Sequence, residues 1–139
     1  MKIVIDTNVI LDFFLSRQPY APNAKLLFTM VYKGQINAYV TANSVTDIYY
    51  ISTKKLGKFS ARKVVKNLLK VVDVISVDGD DCISALDFPI QDFEDSLIVT
   101  CAIKEKINYI VTNDKDFLQT SLSNKNINII NLHDFINLQ

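Results

Sequence analysis

Tryptophan is absent from this 139-residue chain, histidine occurs once, cysteine twice, and glycine and proline three times each. Each scarcity excludes something. So few chain breakers leave little room for an all-β protein with many tight turns. Cys82 and Cys101 make no metal-type pair and too few bridges for a secreted disulfide scaffold, so both read as buried thiols. No apolar run approaches the roughly 20 residues of a membrane span. The N-terminus reaches Asp6 too soon for the apolar stretch of a signal peptide, and a cytoplasmic protein without membrane contact is expected. The single histidine, His133, lies near the C-terminus, and no serine, cysteine or lysine nucleophile stands out. Net charge is lacking too: 15 lysines and arginines balance 15 acids, which by itself argues against a strongly basic nucleic-acid binder.

What is present is an ordinary globular composition, 49% apolar and 22% charged, at a length that fits one domain over residues 1–139. Five short stretches rich in isoleucine, valine or tyrosine read as strands: 2–5, 37–40, 72–76, 108–111 and 127–130. Between them lie helical patterns over 23–32, 41–54, 60–71 and 92–104, with Ser60 as an expected N-cap and a closing helix over 132–138. Strands alternating with helices predict an α/β fold, a three-layer α/β/α sandwich with a mostly parallel sheet. In such sheets ligands sit beyond the carboxyl ends of the strands.

Thirteen of the 15 acids are aspartates, and several fall at that edge. Asp6 follows the first strand, and Asp114 and Asp116 follow the fourth. Asp92, Glu94 and Asp95 open the helix before the fourth strand, and Asp47 lies in the first turns of the helix after the second. Carboxylates from four segments on one rim repel one another, and a divalent cation removes that repulsion by sharing their oxygens. Oxygen ligands without histidine or cysteine suit Mg2+ or Mn2+, ions that commonly act on phosphate esters. A structural reading stands beside this one. Thr7 caps the first helix and Asp6 merely turns the chain, Asp92 and Asp95 have the spacing of a cap and its N3 acid, and Asp116 caps a short helix after Asp114.

Three stretches carry a family resemblance: Lys2-Ile3-Val4-Ile5-Asp6-Thr7-Asn8, Asp92-Phe93-Glu94-Asp95-Ser96-Leu97-Ile98, and Tyr109-Ile110-Val111-Thr112-Asn113-Asp114-Lys115-Asp116-Phe117. In order and spacing they resemble PIN-domain proteins, and the chain is similar to the toxins of VapC-type toxin–antitoxin pairs. The resemblance implies a five-stranded parallel sheet and a Mg2+- or Mn2+-dependent ribonuclease. It makes Asp6, Asp95 and Asp114 metal-binding acids, Asp116 a supporting acid, and Thr7, Asn8 and Thr112 polar supports. It also implies an antitoxin partner and a homodimer. The family's second acid is usually a glutamate, and here Asp47, one methylene shorter, stands in the matching stretch.

Charge is segregated along the chain. Residues 48–72 hold seven bases and no acid, and residues 73–95 hold eight acids and no base. Arg62, Lys66 and Lys70 recur every four residues on one helix face, suited to an RNA backbone, although a solvated amphipathic helix gives the same pattern. Tyr49 and Tyr50 suit either base stacking or the core. A haloacid-dehalogenase-like phosphatase needs a second aspartate where Asn8 stands, and a phospho-receiver needs an aspartate where Ser76 and Val77 stand. The remaining rival is a PIN-like fold that binds RNA or a protein without cutting.

Overall fold

A computed structural model describes residues 1–122 and 126–139. Five strands, β1 (Lys2–Ile5), β2 (Asn37–Thr41), β3 (Asp73–Ile75), β4 (Tyr109–Val111) and β5 (Asn128–Ile130), form one sheet in the order β3-β2-β1-β4-β5. Every pairing is parallel, with Val4 opposite both Tyr39 and Ile110. The expected α/β sandwich with a five-stranded parallel sheet is therefore present.

The pleat explains the near-continuous apolar runs. Ile3 and Ile5 point into one core, with Val9, Ile10, Leu27, Ile48, Leu68 and Phe135. Val4, between them, points into the other, with Ile98, Val99, Ile110 and Phe117. Central parallel strands are covered on both faces and cannot alternate with polar residues.

The helices are α1 (Thr7–Phe14), α2 (Ala21–Tyr32), α3 (Ala42–Leu56), α4 (Lys58–Leu69), α5 (Gly79–Ala85), α6 (Phe93–Lys104), α7 (Lys115–Leu118) and α8 (Leu132–Asn137). Several local expectations need correction. Helix α4 starts at Lys58 rather than after Ser60. Gly57, with φ +83°, turns the chain directly from α3 into α4, and no side chain caps it. A positive φ suits glycine because no Cβ meets the backbone. Asp6, not Thr7, caps α1, and Asp114, not Asp116, caps α7. Asp92 caps α6 by accepting from the Asp95 amide. Cys101 is buried, whereas Cys82 is only partly so. Among the described residues, no helix is long and apolar enough to cross a membrane.

Candidate active site

Strands β1 and β4 are neighbours at the centre of the sheet, so the residues that follow them leave its carboxyl edge side by side. Asp6 and Thr112 are those residues. Thr112, fully buried, donates its hydroxyl to Asp6 Oδ2 at 2.7 Å. The same Oγ1 accepts from the Asp114 amide at 3.0 Å and from Asn8 Nδ2 at 3.4 Å. Asp6 Oδ1 accepts from the Thr7 amide at 2.8 Å, and Asn8 Nδ2 also reaches Asp6 Oδ2 at 3.4 Å. Asn8 Oδ1 in turn accepts from the Asn113 amide at 3.2 Å. Thr7, Asn8 and Thr112 thus act together, tying the loop after β1 to the loop after β4.

The other acids arrive on helix starts. Helix α6 precedes β4 and runs back against it, so its first turn lies at the same edge. A cleft of about 560 Å³ is lined there by Asp92, Asp95, Asp114 and Asp116, with Gln119 and Thr120. Asp114 Oδ1 accepts from the amides of Asp116 and Phe117 at 2.9 and 3.2 Å. Among the described residues, nothing donates to its Oδ2 or to either carboxylate oxygen of Asp95. The structural reading of Asp92 as a cap therefore holds, Asp114 caps α7 in place of the expected Asp116, and oxygens of Asp95 and Asp114 are left for other work.

The electrostatics are those of crowded like charges. Burial pushes the Asp95 carboxyl up to about 7, and the charges of Asp92, Asp6, Asp114 and Glu94 add to it. Asp6 is raised mainly by burial, against the lowering pull of its Thr112 and Thr7 hydrogen bonds, with Asp114 and Asp92 adding to the rise. Shifts of this origin mark groups held together at a cost in stability, a frequent property of functional sites.

Donor chemistry fits a hard divalent cation, since the cleft offers only carboxylate and other oxygen ligands. Cys101 lies in the core with its thiol pushed up to about 11 by burial, and exposed His133 pairs with Asn137 within α8. A cation would relieve the repulsion that raises Asp95 and Asp6. As the side chains stand, no three acidic, histidine or cysteine groups among the described residues converge on one ion position. Capping and hydrogen bonds within the loops hold the carboxylates near one another but not in a finished coordination sphere.

Asp47 on α3 lies beside Glu94, whose carboxyl is raised first by burial and then by Asp47, with Asp92 and Asp6 adding to the rise. The sequence places Glu94 on this rim without giving it a role. Arg17 is a residue that sequence reasoning passes over. Its Nε donates to buried Asp12 Oδ1 at 2.8 Å and its Nη2 to the Asn8 carbonyl at 2.9 Å, bracing the loop that carries Asn8. Arg17→Ala leaves Asp12 buried without its partner and is expected to cost about 1–3 kcal/mol. Thermal denaturation reads this as a lowered Tm, and an unchanged Tm would show that Asp12 needs no partner.

The two polar segments split as the charge map suggests. Lys104 pairs with Asp81 at 2.7 Å, neutralising one acid of the acidic block. Arg62 and Lys66 on α4, and Lys70 at its C-cap, are all exposed.

Comparison with known proteins identifies the family and the fold. Residues 2–116 match the family described as PIN domain. Ribonuclease VapC1 of Aquifex aeolicus is 27% identical over 120 residues, covering 84% of this chain and 83% of its own. Among solved structures, VapC20 of Mycobacterium tuberculosis, described as a sarcin–ricin loop cleaving toxin, superposes with a TM-score of 0.69 at 18% identity, over 83% of this chain and 92% of that one. DNA-bound VapBC of Salmonella typhimurium gives a TM-score of 0.70 at 16% identity, over 95% and 98%.

Proposed function

This chain belongs to the PIN-domain family, and from that membership we propose that it is a divalent-metal-dependent endoribonuclease, the toxin of a toxin–antitoxin pair. The observation that carries the proposal is that Asp6, Asp95 and Asp114, from three segments, lie at one edge of the sheet, where the charge of Asp114 raises Asp6 and the charges of Asp6 and Asp114 raise Asp95.

In this reading Asp6, Asp95 and Asp114 hold Mg2+ or Mn2+, with Asp116 and Asp92 beside them. The bound ion supplies a Lewis acid that polarises phosphoryl oxygen, acidifies water and offsets transition-state charge. The chain's own residues supply placement. Thr112 and Asn8 fix the Asp6 carboxylate, the α7 start fixes Asp114, and the first turn of α6 sets Asp95 opposite them. In the reaction, water adds to phosphorus, the bond to the 3′ oxygen breaks, and a proton ends on that oxygen. A 5′-phosphate and a 3′-hydroxyl result.

Purified protein with structured RNA and Mn2+ or Mg2+ is expected to produce 5′-phosphate ends, and the Asp6→Asn/Asp95→Asn double variant is not. Equal cleavage by the two would overturn the assignment. The rival that binds without cutting draws on Asp47, one methylene shorter than the glutamate usual in the matching stretch. Manganese separates the two readings. A ligand of the folded state raises Tm with its concentration, and wild type is expected to show that rise. A flat response would favour the non-catalytic reading.

Similar folds occur in toxin–antitoxin complexes, among them VapBC2 of Rickettsia felis and a complex from Klebsiella pneumoniae. By that likeness we extend an antitoxin partner to this chain, and from the family resemblance we propose a homodimer and a cytoplasmic location.

A further inference from the structure

Helices α3 and α4 enclose a groove of about 600 Å³ whose walls are Val45, Tyr49 and Tyr50 on one side and Arg62, Val65 and Lys66 on the other. We infer that this groove is the track for a single-stranded stretch of the RNA substrate, with bases against Tyr49 and Tyr50 and phosphates on Arg62 and Lys66. The inference rests on the ribonuclease reading and names the surface that would present RNA to the acidic cleft.

Position comes first. Ala42 and Thr46 also line the groove, and Ala42 is the first residue of α3, directly after β2. One end of the groove therefore opens at the carboxyl edge of the sheet, the edge that carries Asp6 and Asp114. A strand lying in it reaches that edge without crossing the fold.

Chemistry comes second. Tyr50 is 59% exposed although it sits in the middle of a 15-residue helix. Its ring meets that of Tyr49 edge to face, with centroids 5.8 Å apart, so the pair forms a small aromatic shelf rather than part of the core. Bases stack on such shelves whatever their sequence. The opposite wall carries cations in a segment, 48–72, that holds seven bases and no acid. A groove with an aromatic wall and an uncompensated basic wall complements a polyanion of stackable units. A-form duplexes bury their base faces, so the occupant is single-stranded. The basic stripe expected from the sequence shortens accordingly. Arg62 and Lys66 line the groove, whereas Lys70 does not, and Lys63 sits over the Phe59 ring at 4.5 Å.

Fluorescence anisotropy with a labelled single-stranded oligoribonucleotide tests this in the full-length Asp95→Asn background, where bound RNA stays intact. Tyr50→Ala and Arg62→Ala/Lys66→Ala are each expected to raise Kd about 10-fold. The double variant should also flatten the dependence of log Kd on log salt by about 1.4, for two lost phosphate contacts on a single strand. Tyr50→Phe should restore binding, and Lys33→Ala, an exposed cation at the end of α2, should leave it unchanged. In the active background KM should rise with Kd. Unchanged Kd and KM in the groove variants would overturn the inference. So would a loss of self-association by light scattering with RNA binding intact, which would make the groove a contact between copies. If the groove variants weaken RNA binding while wild type never cuts with Mn2+, the groove stands and the ribonuclease reading falls.

Discussion

Asp95→Asn is expected to cut RNA cleavage by more than about 100-fold, beyond the usual loss on removing a residue that only supports a metal site. It should also make the metal-free protein more stable at pH 8. The two effects share one cause. Asp95 is only 8% exposed, and its carboxyl stands at about 7 because burial and neighbouring carboxylates disfavour its charge. The folded protein therefore binds a proton here that the unfolded chain has released. For a group raised in the folded state, the relative stabilisation is complete below the unfolded value near 4 and is lost as pH rises to about 7. Above that the full penalty applies, and asparagine removes it. A carboxyl moved from its ordinary range to about 7 carries a penalty of at most about 4 kcal/mol. The cleft is open to water, which screens these charges, so a gain of about 1–2 kcal/mol is the reasonable expectation. Urea denaturation of wild type and variant at pH 8 and pH 4 checks it. The gain should be present at pH 8 and absent at pH 4, and equal stability at pH 8 would show that Asp95 carries no such penalty. Mn2+ added at pH 8 should reverse the order by stabilising wild type alone. Its apparent affinity for wild type should weaken below pH 7, where protons compete for the same oxygens.

Much of this cleft is legible in the sequence because its parts obey local rules. Ile3-Val4-Ile5 and Tyr109-Ile110-Val111 are apolar without alternation, which marks central parallel strands, and the polar residues that follow such strands emerge at the carboxyl edge. Asp92 lies three residues before the amide it accepts from, the spacing of an N-cap, and the structure keeps it there. Other features depend on geometry that spacing does not encode. Asp12 and Arg17 stand five apart, a poor helical pair, and they meet only because the chain leaves α1 and turns through Ser16 at φ +51°. Glu94 adjoins Asp95 in sequence but lies about 100° around the helix. That it stands beside Asp47 while still acting on Asp95 is set by how α6 rotates against α3, a property of packing. Ser60 has the chemistry of a cap, but Gly57 redirects the chain first. Tyr49 and Tyr50 fit a core pattern through their neighbour Ile48. Only the packing of α3 against α4 leaves Tyr50 outside.

Thr112→Val is expected to be the most damaging conservative change near the cleft. The two side chains are nearly the same size, so the core loses no volume and the effect isolates the hydroxyl. That hydroxyl uses its whole capacity: one donated bond to Asp6 and two accepted bonds, from the Asp114 amide and Asn8. Valine strips a buried carboxylate of its shortest hydrogen bond and leaves a backbone amide without its partner. A hydrogen bond to a charged group contributes about 1.5–3 kcal/mol, and an unsatisfied buried group adds to the loss, so a cost of about 2–4 kcal/mol is expected. Asp6 has the further consequence. Its Thr112 bond is the largest of the influences that lower its carboxyl against burial, so removing it raises Asp6 further from the ordinary aspartate value. The stability lost on that account appears as pH rises from the wild-type value of Asp6 to the new one, because the charged form is the one that has lost support. Thr112→Val should therefore hurt most where Asp6 is charged and least in acid, where it is protonated. Thr112→Ser, which keeps the hydroxyl, should recover most of the loss in both stability and cleavage. If serine proves as damaging as valine, the threonine methyl group and its packing, not the bond between the loops after β1 and β4, hold this edge of the sheet together.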